Sequence, residues 1–261
     1  MGVESGRTIF ITGAGAGIGA ATARLFASRG WKVGASDVNP DALEDLRRAV
    51  TGGSIHPSVA DVRDASSVGA AIADFAESQG GGRLHAVFAN AGVLYMGPDE
   101  SITAEQKQRL IDVNVKGVVH TFDAAMPYLR RAAPGSHAIA MASTSAEYGS
   151  PYHAVYSATK FFVRGYTEAL AIEHARAGVQ VSGIYVSYVR TGMVTGANFQ
   201  PASIDRLGVK ATAEQVAQAV WRAAHGRRTH WRVGFDARMT HYAVRLLGSW
   251  VAPVYARLTG L

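Results

Sequence analysis

What most restricts this chain is a rhythm: apolar, strand-like runs alternate with helix-length stretches almost to the C-terminus. Strands are expected at about 7–12, 32–36, 55–60, 85–89, 137–142, 180–185 and 231–234. Helical stretches are expected near 17–29, 41–50, 65–78, 103–131, 155–177 and 213–224. Parallel strands need long crossovers, and the helices in those crossovers cover the sheet on both sides. The expected fold is therefore α/β: a Rossmann-type doubly wound parallel sheet of about seven strands with helices on both faces. No repeat, low-complexity tract or charged linker divides the 261 residues, so one domain over 1–261 is expected. Residues 190–212 break the rhythm with Gly192, Gly196, Pro201 and Gly208 and read as a substrate lid.

Composition removes several classes. With 48% hydrophobic residues, a chain this long fills a core without staples. The absence of cysteine excludes disulfides, thiolate zinc sites and a cysteine nucleophile. No apolar run approaches the ~18 residues of a membrane span. The first strand-like run starts at Arg7, too early for a leader, and Gly6 stands where myristoylation needs Ser or Thr, so a cytoplasmic location is expected. Lys and Arg exceed Asp and Glu by 26 − 20 = +6, and the whole excess lies in 205–261. A neutral body with one basic end is only a weak form of the nucleic-acid signal, and no nucleic-acid partner is expected. The nine histidines show no paired ligand spacing, so no metal is expected; His153, near Tyr156, reads as a surface or capping residue in preference to one facing the substrate. A Gly-x-Ser-x-Gly elbow is missing, which argues against a serine hydrolase.

The first strand runs into Gly13-Ala14-Gly15-Ala16-Gly17-Ile18-Gly19 and then a helix. Such a turn lets the backbone approach a pyrophosphate, whose charge the helix N-terminus stabilises. No Gly-Lys-Ser/Thr follows, which excludes a phosphate loop of the NTPase kind. The second strand ends in Asp37, placed to accept hydrogen bonds from ribose hydroxyls and to repel a 2′-phosphate. Ala14, Ala16 and Val38 supply no cation, so NAD is favoured over NADP. The competing reading of Asp37 is a cap or turn into the next helix.

Ser143 closes the fifth strand, and Tyr156 and Lys160 share a face of the following helix, four residues apart. A neighbouring ammonium favours phenolate, so Lys160 is expected to lower the Tyr156 pKa and fit the phenol for proton exchange near neutral pH.

These motifs together resemble the short-chain dehydrogenase/reductase family in its compact branch, over nearly the whole chain. Thr12 to Gly19 is similar to that branch's T-G-x-x-x-G-I-G fingerprint, and Ala89-Asn90-Ala91-Gly92 to its N-N-A-G strand end, with alanine for the first asparagine. The resemblance implies a catalytic tetrad of Asn114, Ser143, Tyr156 and Lys160. In it Tyr156 transfers the proton, Ser143 positions the reacting oxygen, Lys160 holds the nicotinamide ribose and Asn114 maintains a water-linked proton route. It further implies cofactor contacts at Gly13, Ala16, Gly17, Ile18, Gly19, Asp37 and Val38, adenine contacts at Asp61 and Val62, and others at Asn90, Ala91, Gly92, Val189 and Thr191, besides Tyr156 and Lys160. Val186-Ser187 replaces the family's usual Pro-Gly beside the nicotinamide.

Tyr95, Met96, Tyr148, Tyr152, Met193 and Phe199 follow strands at the ligand-binding edge and suggest an apolar pocket for a bulky alcohol or ketone. The expected activity is hydride transfer between a nicotinamide cofactor and a secondary alcohol, ketone or aldehyde, by a homodimer or homotetramer. The alternative is a non-catalytic dinucleotide-binding regulator or scaffold. In the basic segment 237–261, Leu246, Leu247, Trp250, Val251, Val254 and Leu258 would share one side of a helix interrupted at Pro253. A solvated face with subunit packing is the favoured reading, over a cleft cover or peripheral membrane contact.

Overall fold

The computed structural model describes residues 6–50, 54–189 and 211–259. Seven strands form one parallel sheet in the order β3-β2-β1-β4-β5-β6-β7. They are β1 (Thr8–Thr12), β2 (Lys32–Asp37), β3 (Ser54–Val59), β4 (Ala86–Ala89), β5 (Ser136–Met141), β6 (Val179–Tyr185) and β7 (His230–Arg232). The crossovers carry α1 (Gly17–Ser28), α2 (Pro40–Ala49), α3 (Ala65–Gly80), α4 (Ala104–Ile111), α5 (Gly117–Ala132), α6 (Ala154–Glu173) and α7 (Ala213–Ala223). Two more helices follow the last strand, α8 (Gly234–Leu247) and α9 (Val251–Thr259). The expected sheet is observed, and so are the expected helices save the one over 103–131.

Alternation along β1 explains the layers. Ile9 and Ile11 point into one core with Phe26, Trp31 and Val220, while Phe10 points into the other with Phe75, Phe122 and Leu129. Both faces are therefore covered, as a buried parallel sheet requires. Local signals set the helix starts: Asn39 caps α2 ahead of Pro40, Asp64 caps α3, and Thr103 with Gln106 and Thr212 with Gln215 form capping boxes on α4 and α7. Pro57 sits in β3, an edge strand, where a missing N–H is tolerated.

Two boundaries differ from expectation. The helix expected over 103–131 is broken by a π-helical turn at Asp112–Lys116, and the widened turn carries Asn114. Near the C-terminus the interruption falls at Gly248, whose φ of +52° is a left-handed conformation suited to glycine, and not at Pro253. Pro253 lies in the first turn of α9, where its missing N–H has no intrahelical acceptor to lose. The apolar side expected there also divides: Val251 is buried while Leu246 and Trp250 are exposed. The side chains of Val254 and Leu258 fall outside the described residues, as does the expected lid apart from Ala211 and Thr212.

Candidate active site

Strand order reverses between β1 and β4, and both strands deliver their C-terminal ends to the same crevice. The glycine turn lies there. Gly13 and Gly17 have φ of +66° and +53°, and a Cβ on Gly19 would lie 2.0 Å from the Gly13 carbonyl oxygen. Ala16 at the N-cap of α1 gives no side-chain cap, and no acidic residue occupies the first turn, so neither offsets the positive end of the helix. That is the arrangement a pyrophosphate fits. Asn90 fastens the turn to β4, its Nδ2 donating to the Thr12 and Gly13 carbonyls at 3.0 Å each, while Thr12 Oγ1 accepts from the Asn90 and Ala91 N–H groups.

The Asp37 carboxylate accepts from Gly15 N–H at 2.9 Å and Asn39 N–H at 3.1 Å. The capping and cofactor readings are thus compatible: the bonds that turn the chain also hold a negative charge against the glycine loop. Val38 beside it is exposed. Asp61 is held by Arg63 in a fork of 2.6–3.0 Å, and the Arg63 guanidinium leaves its carboxyl below the usual range. Val62 is buried, with its carbonyl accepting from His120 Nδ1.

The next strand ends bring in the titratable groups. Ser143 follows β5 and caps a short 3-10 turn, its Oγ accepting from Ser145 N–H at 3.2 Å and donating to the Val186 carbonyl at 3.4 Å. Val186 also accepts from Thr144 N–H, so the Val186-Ser187 departure leaves the end of β6 stitched to Ser143. Ser143 lies close enough to the Tyr156 hydroxyl to favour its ionised form. Lys160 is buried one turn further along α6, with Nζ 2.8 Å from the Met141 carbonyl and 5.5 Å from the centre of the Tyr156 ring. Asn114 is fully buried; its amide exchanges hydrogen bonds of 2.9 Å with the Val93 main chain and reaches Thr159 at 3.4 Å, beside Lys160.

The expectation that Lys160 makes Tyr156 acidic is corrected. Burial pushes the phenol up to about 12, Ser143 opposes this only in part, and the nearby Tyr188 adds to the rise. Lys160 is itself lowered to about 8 by burial, and its ammonium hydrogen is directed at a backbone carbonyl.

Tyr152 occupies a left-handed conformation, φ +63°, and its carbonyl accepts from Gly97 N–H at 3.0 Å, which joins the Tyr95–Met96 segment to the loop before α6. Tyr95, Tyr148 and Tyr152 are half-buried. Thr191, Met193 and Phe199 lie outside the described residues, and Val189 is buried at their threshold.

Three residues were not singled out correctly from sequence. His153 is not exposed, and although it stands at the N-cap of α6 its side chain makes no capping bond: it is buried, its Nδ1 donates to the Pro151 carbonyl at 2.9 Å, and its Nε2 has no hydrogen-bond partner. Its ring lies 6.3 Å from that of Tyr156 and 6.1 Å from that of Tyr188. Tyr188 could have been noticed as an aromatic just past β6. Glu147 had no sequence signal, because its partners are remote: Arg164 at 2.6 Å, Arg232 at 2.9 Å and His241 at 2.9 Å.

The model of the short chain dehydrogenase family matches residues 7–201. Oxidoreductase UcpA of Salmonella typhimurium is 35% identical over 196 residues, 74% of this chain and 73% of its own. Cyclohexanol dehydrogenase of Acinetobacter is 33% identical over 220 residues, covering 82% and 86%. The crystal structure of a short-chain dehydrogenase/reductase from Burkholderia phymatum in complex with NAD superposes with a TM-score of 0.79 at 28% identity, covering 94% and 96%. This chain is a member of the short-chain dehydrogenase family, an oxidoreductase built on that family's Rossmann-type sheet.

Proposed function

We propose that this chain, as one domain, interconverts a bulky, largely apolar secondary alcohol and its ketone with NAD as the cofactor. The observation that carries this reading is the nearness of Ser143 to the Tyr156 hydroxyl at the sheet's carboxyl edge, one helical turn from a buried Lys160. When bound, the nicotinamide supplies or accepts the hydride. Tyr156 donates its phenolic proton to the carbonyl oxygen in reduction and takes it from the alcohol in oxidation. Ser143, pinned by Val186 and Ser145, holds the reacting oxygen beside that phenol. Lys160 places a positive charge under the ring, and Asn114 keeps the Val93 loop in register with α6. Asp37 selects against a 2′-phosphate by charge.

The half-buried Tyr95, Tyr148 and Tyr152 line the apolar side, and cyclohexanol dehydrogenase, a relative named for a cyclic secondary alcohol, agrees with that class. A second copy of the chain would dock on the outer face of α6, where Phe161, Phe162 and Ile172 are exposed among charges of both signs. Wild type and Tyr156→Phe, assayed with NAD against cyclic and aromatic secondary alcohols, test the reaction. The variant should lose about a hundredfold to ten-thousandfold in rate. Equal turnover would remove Tyr156 from the mechanism.

A further inference from the structure

Helix α8 reverses the usual relation between helix and solvent. At ~100° per residue, Phe235, Met239, Tyr242 and Leu246 fall in one narrow arc, opposite the buried Ala237 and His241. Phe235 is 78% exposed, Leu246 84% and Trp250, just beyond the helix, 74%. A surface helix whose outward stripe is apolar has an unmet partner.

The charge around the stripe says which partner. Residues 211–259 contain seven arginines against Glu214 and Asp236. A cavity of about 360 Å³ opens between α7, β7 and α8, and its lining includes Arg222, Arg228, Arg232, Arg238, His230 and His241. Some of these groups are already engaged: the Arg232 charge is matched by Glu147, which also bonds His241, and His230 lies 3.2 Å from Glu168. Arg222, Arg228 and Arg238 have no carboxylate partner among the described residues; Arg222 donates to the Gln218 carbonyl and Arg228 lies over the Trp231 ring. Arg238 and Arg245 flank the apolar stripe on one side, and Asp236 lies on the other.

We propose that α8 is an interfacial helix that seats its apolar stripe in the surface of an anionic phospholipid membrane, with the cavity arginines neutralising headgroup phosphates. An apolar arc bordered by unmatched cations is what such a surface complements. A second copy is the poorer occupant. Two-fold pairing brings the same patch onto itself and would set one arginine cluster against the other, whereas the mixed charges on α6 carry no such penalty. No helix among the described residues is long and apolar enough to cross a membrane, so the contact lies in the interface plane.

The test is sedimentation of the full chain with vesicles of phosphatidylcholine alone or mixed with phosphatidylglycerol, with sedimentation velocity run on every variant. Wild type should partition onto the anionic vesicles, less so as salt rises, and Trp250 should shift the tryptophan emission to the blue. Arg238→Gln and Arg222→Gln should each lower the partition about fivefold. Leu246→Ser and Trp250→Ser should each lower it about tenfold. All four sites are at the surface, so folding and oligomeric state should be unchanged. Equal partition onto both kinds of vesicle would overturn the proposal, as would indifference to these substitutions. So would dissociation of an oligomer by Leu246→Ser without vesicle binding by wild type, which assigns the stripe to a second copy. Saturable glycerophosphate binding without vesicle binding would assign the cavity to a soluble phosphate ester instead.

Discussion

At the scale of single residues, the chemistry depends on how burial moves two proton affinities in opposite directions. Tyr156 is pushed up to about 12 and Lys160 down to about 8, each because its charged form is poorly solvated. Alcohol oxidation needs the phenol as a base, so its rate should climb steadily between about pH 7 and about pH 9 as the phenolate fraction grows. Ketone reduction uses the protonated phenol and should show no such rise. Initial rates in both directions across that range check this, and an oxidation rate flat with pH would contradict it. His153 is the neighbouring acceptor with nothing to accept, since the Pro151 carbonyl fixes the proton on Nδ1. Asp37 acts by charge on the cofactor: Asp37→Ala should reduce the preference for NAD over NADP in kcat/KM by about tenfold or more, because the repulsion of a 2′-phosphate is lost. An unchanged ratio would remove Asp37 from cofactor selection.

Elements are joined around the site by one carboxylate. Glu147, four residues after Ser143, binds Arg164 of α6, Arg232 of β7 and His241 of α8. Burial, the largest single influence, pushes its carboxyl up, but the His241 bond and the charges of Arg164 and Arg232 outweigh it and leave the group below its ordinary range. A depressed carboxyl stabilises the fold at neutral pH and loses that contribution as pH falls through its folded-state value. Glu147→Ala leaves Arg164 and Arg232 without their buried partner and should cost about 3 kcal/mol in denaturant unfolding. A change near zero would show that water or a rearranged Glu168 replaces it. The glycine turn is equally intolerant for a steric reason: in Gly19→Ala the new methyl would meet the Gly13 carbonyl. That variant should lose NAD binding by titration as well as stability, and full NAD affinity would contradict the close approach described above.

For the whole molecule, acid is the vulnerable side. Burial lowers His137 to about 4 and depresses His85 and His153 in the same direction. A base whose folded pKa is depressed has no effect above its unfolded value near 6.5 and withdraws stability as pH falls from there toward the folded value. His137 alone should account for about 3 kcal/mol of loss by pH ~4. Unfolding free energies measured from neutral pH downward should therefore drop, and His137→Gln should flatten the slope; an identical slope in the variant would locate the loss elsewhere. The basic end acts at this scale too, since it gives an otherwise neutral chain one face suited to anions.

Much of this was legible in one dimension. Strand and helix alternation, the glycines after β1, and Ser143, Tyr156 and Lys160 are written in local period and spacing, and the parallel topology follows from chirality and crossover length. The partial legibility of the rest has a common physical reason. Whether an amine acidifies a phenol depends on which acceptor the amine reaches, and Lys160 reaches the Met141 carbonyl across the fold. His153 becomes a buried acceptor, Glu147 a junction and Asn114 a clamp on Val93 only through partners distant in the chain. The outward turn of the α8 stripe is likewise decided by what packs beneath it, with Ala237 and His241 held inside. Sequence alone determined the fold class and the candidate site residues, because both arise from neighbours along the chain; burial, charge and exposure at those residues belong to the tertiary structure, because each is set by solvent excluded by groups far away in sequence.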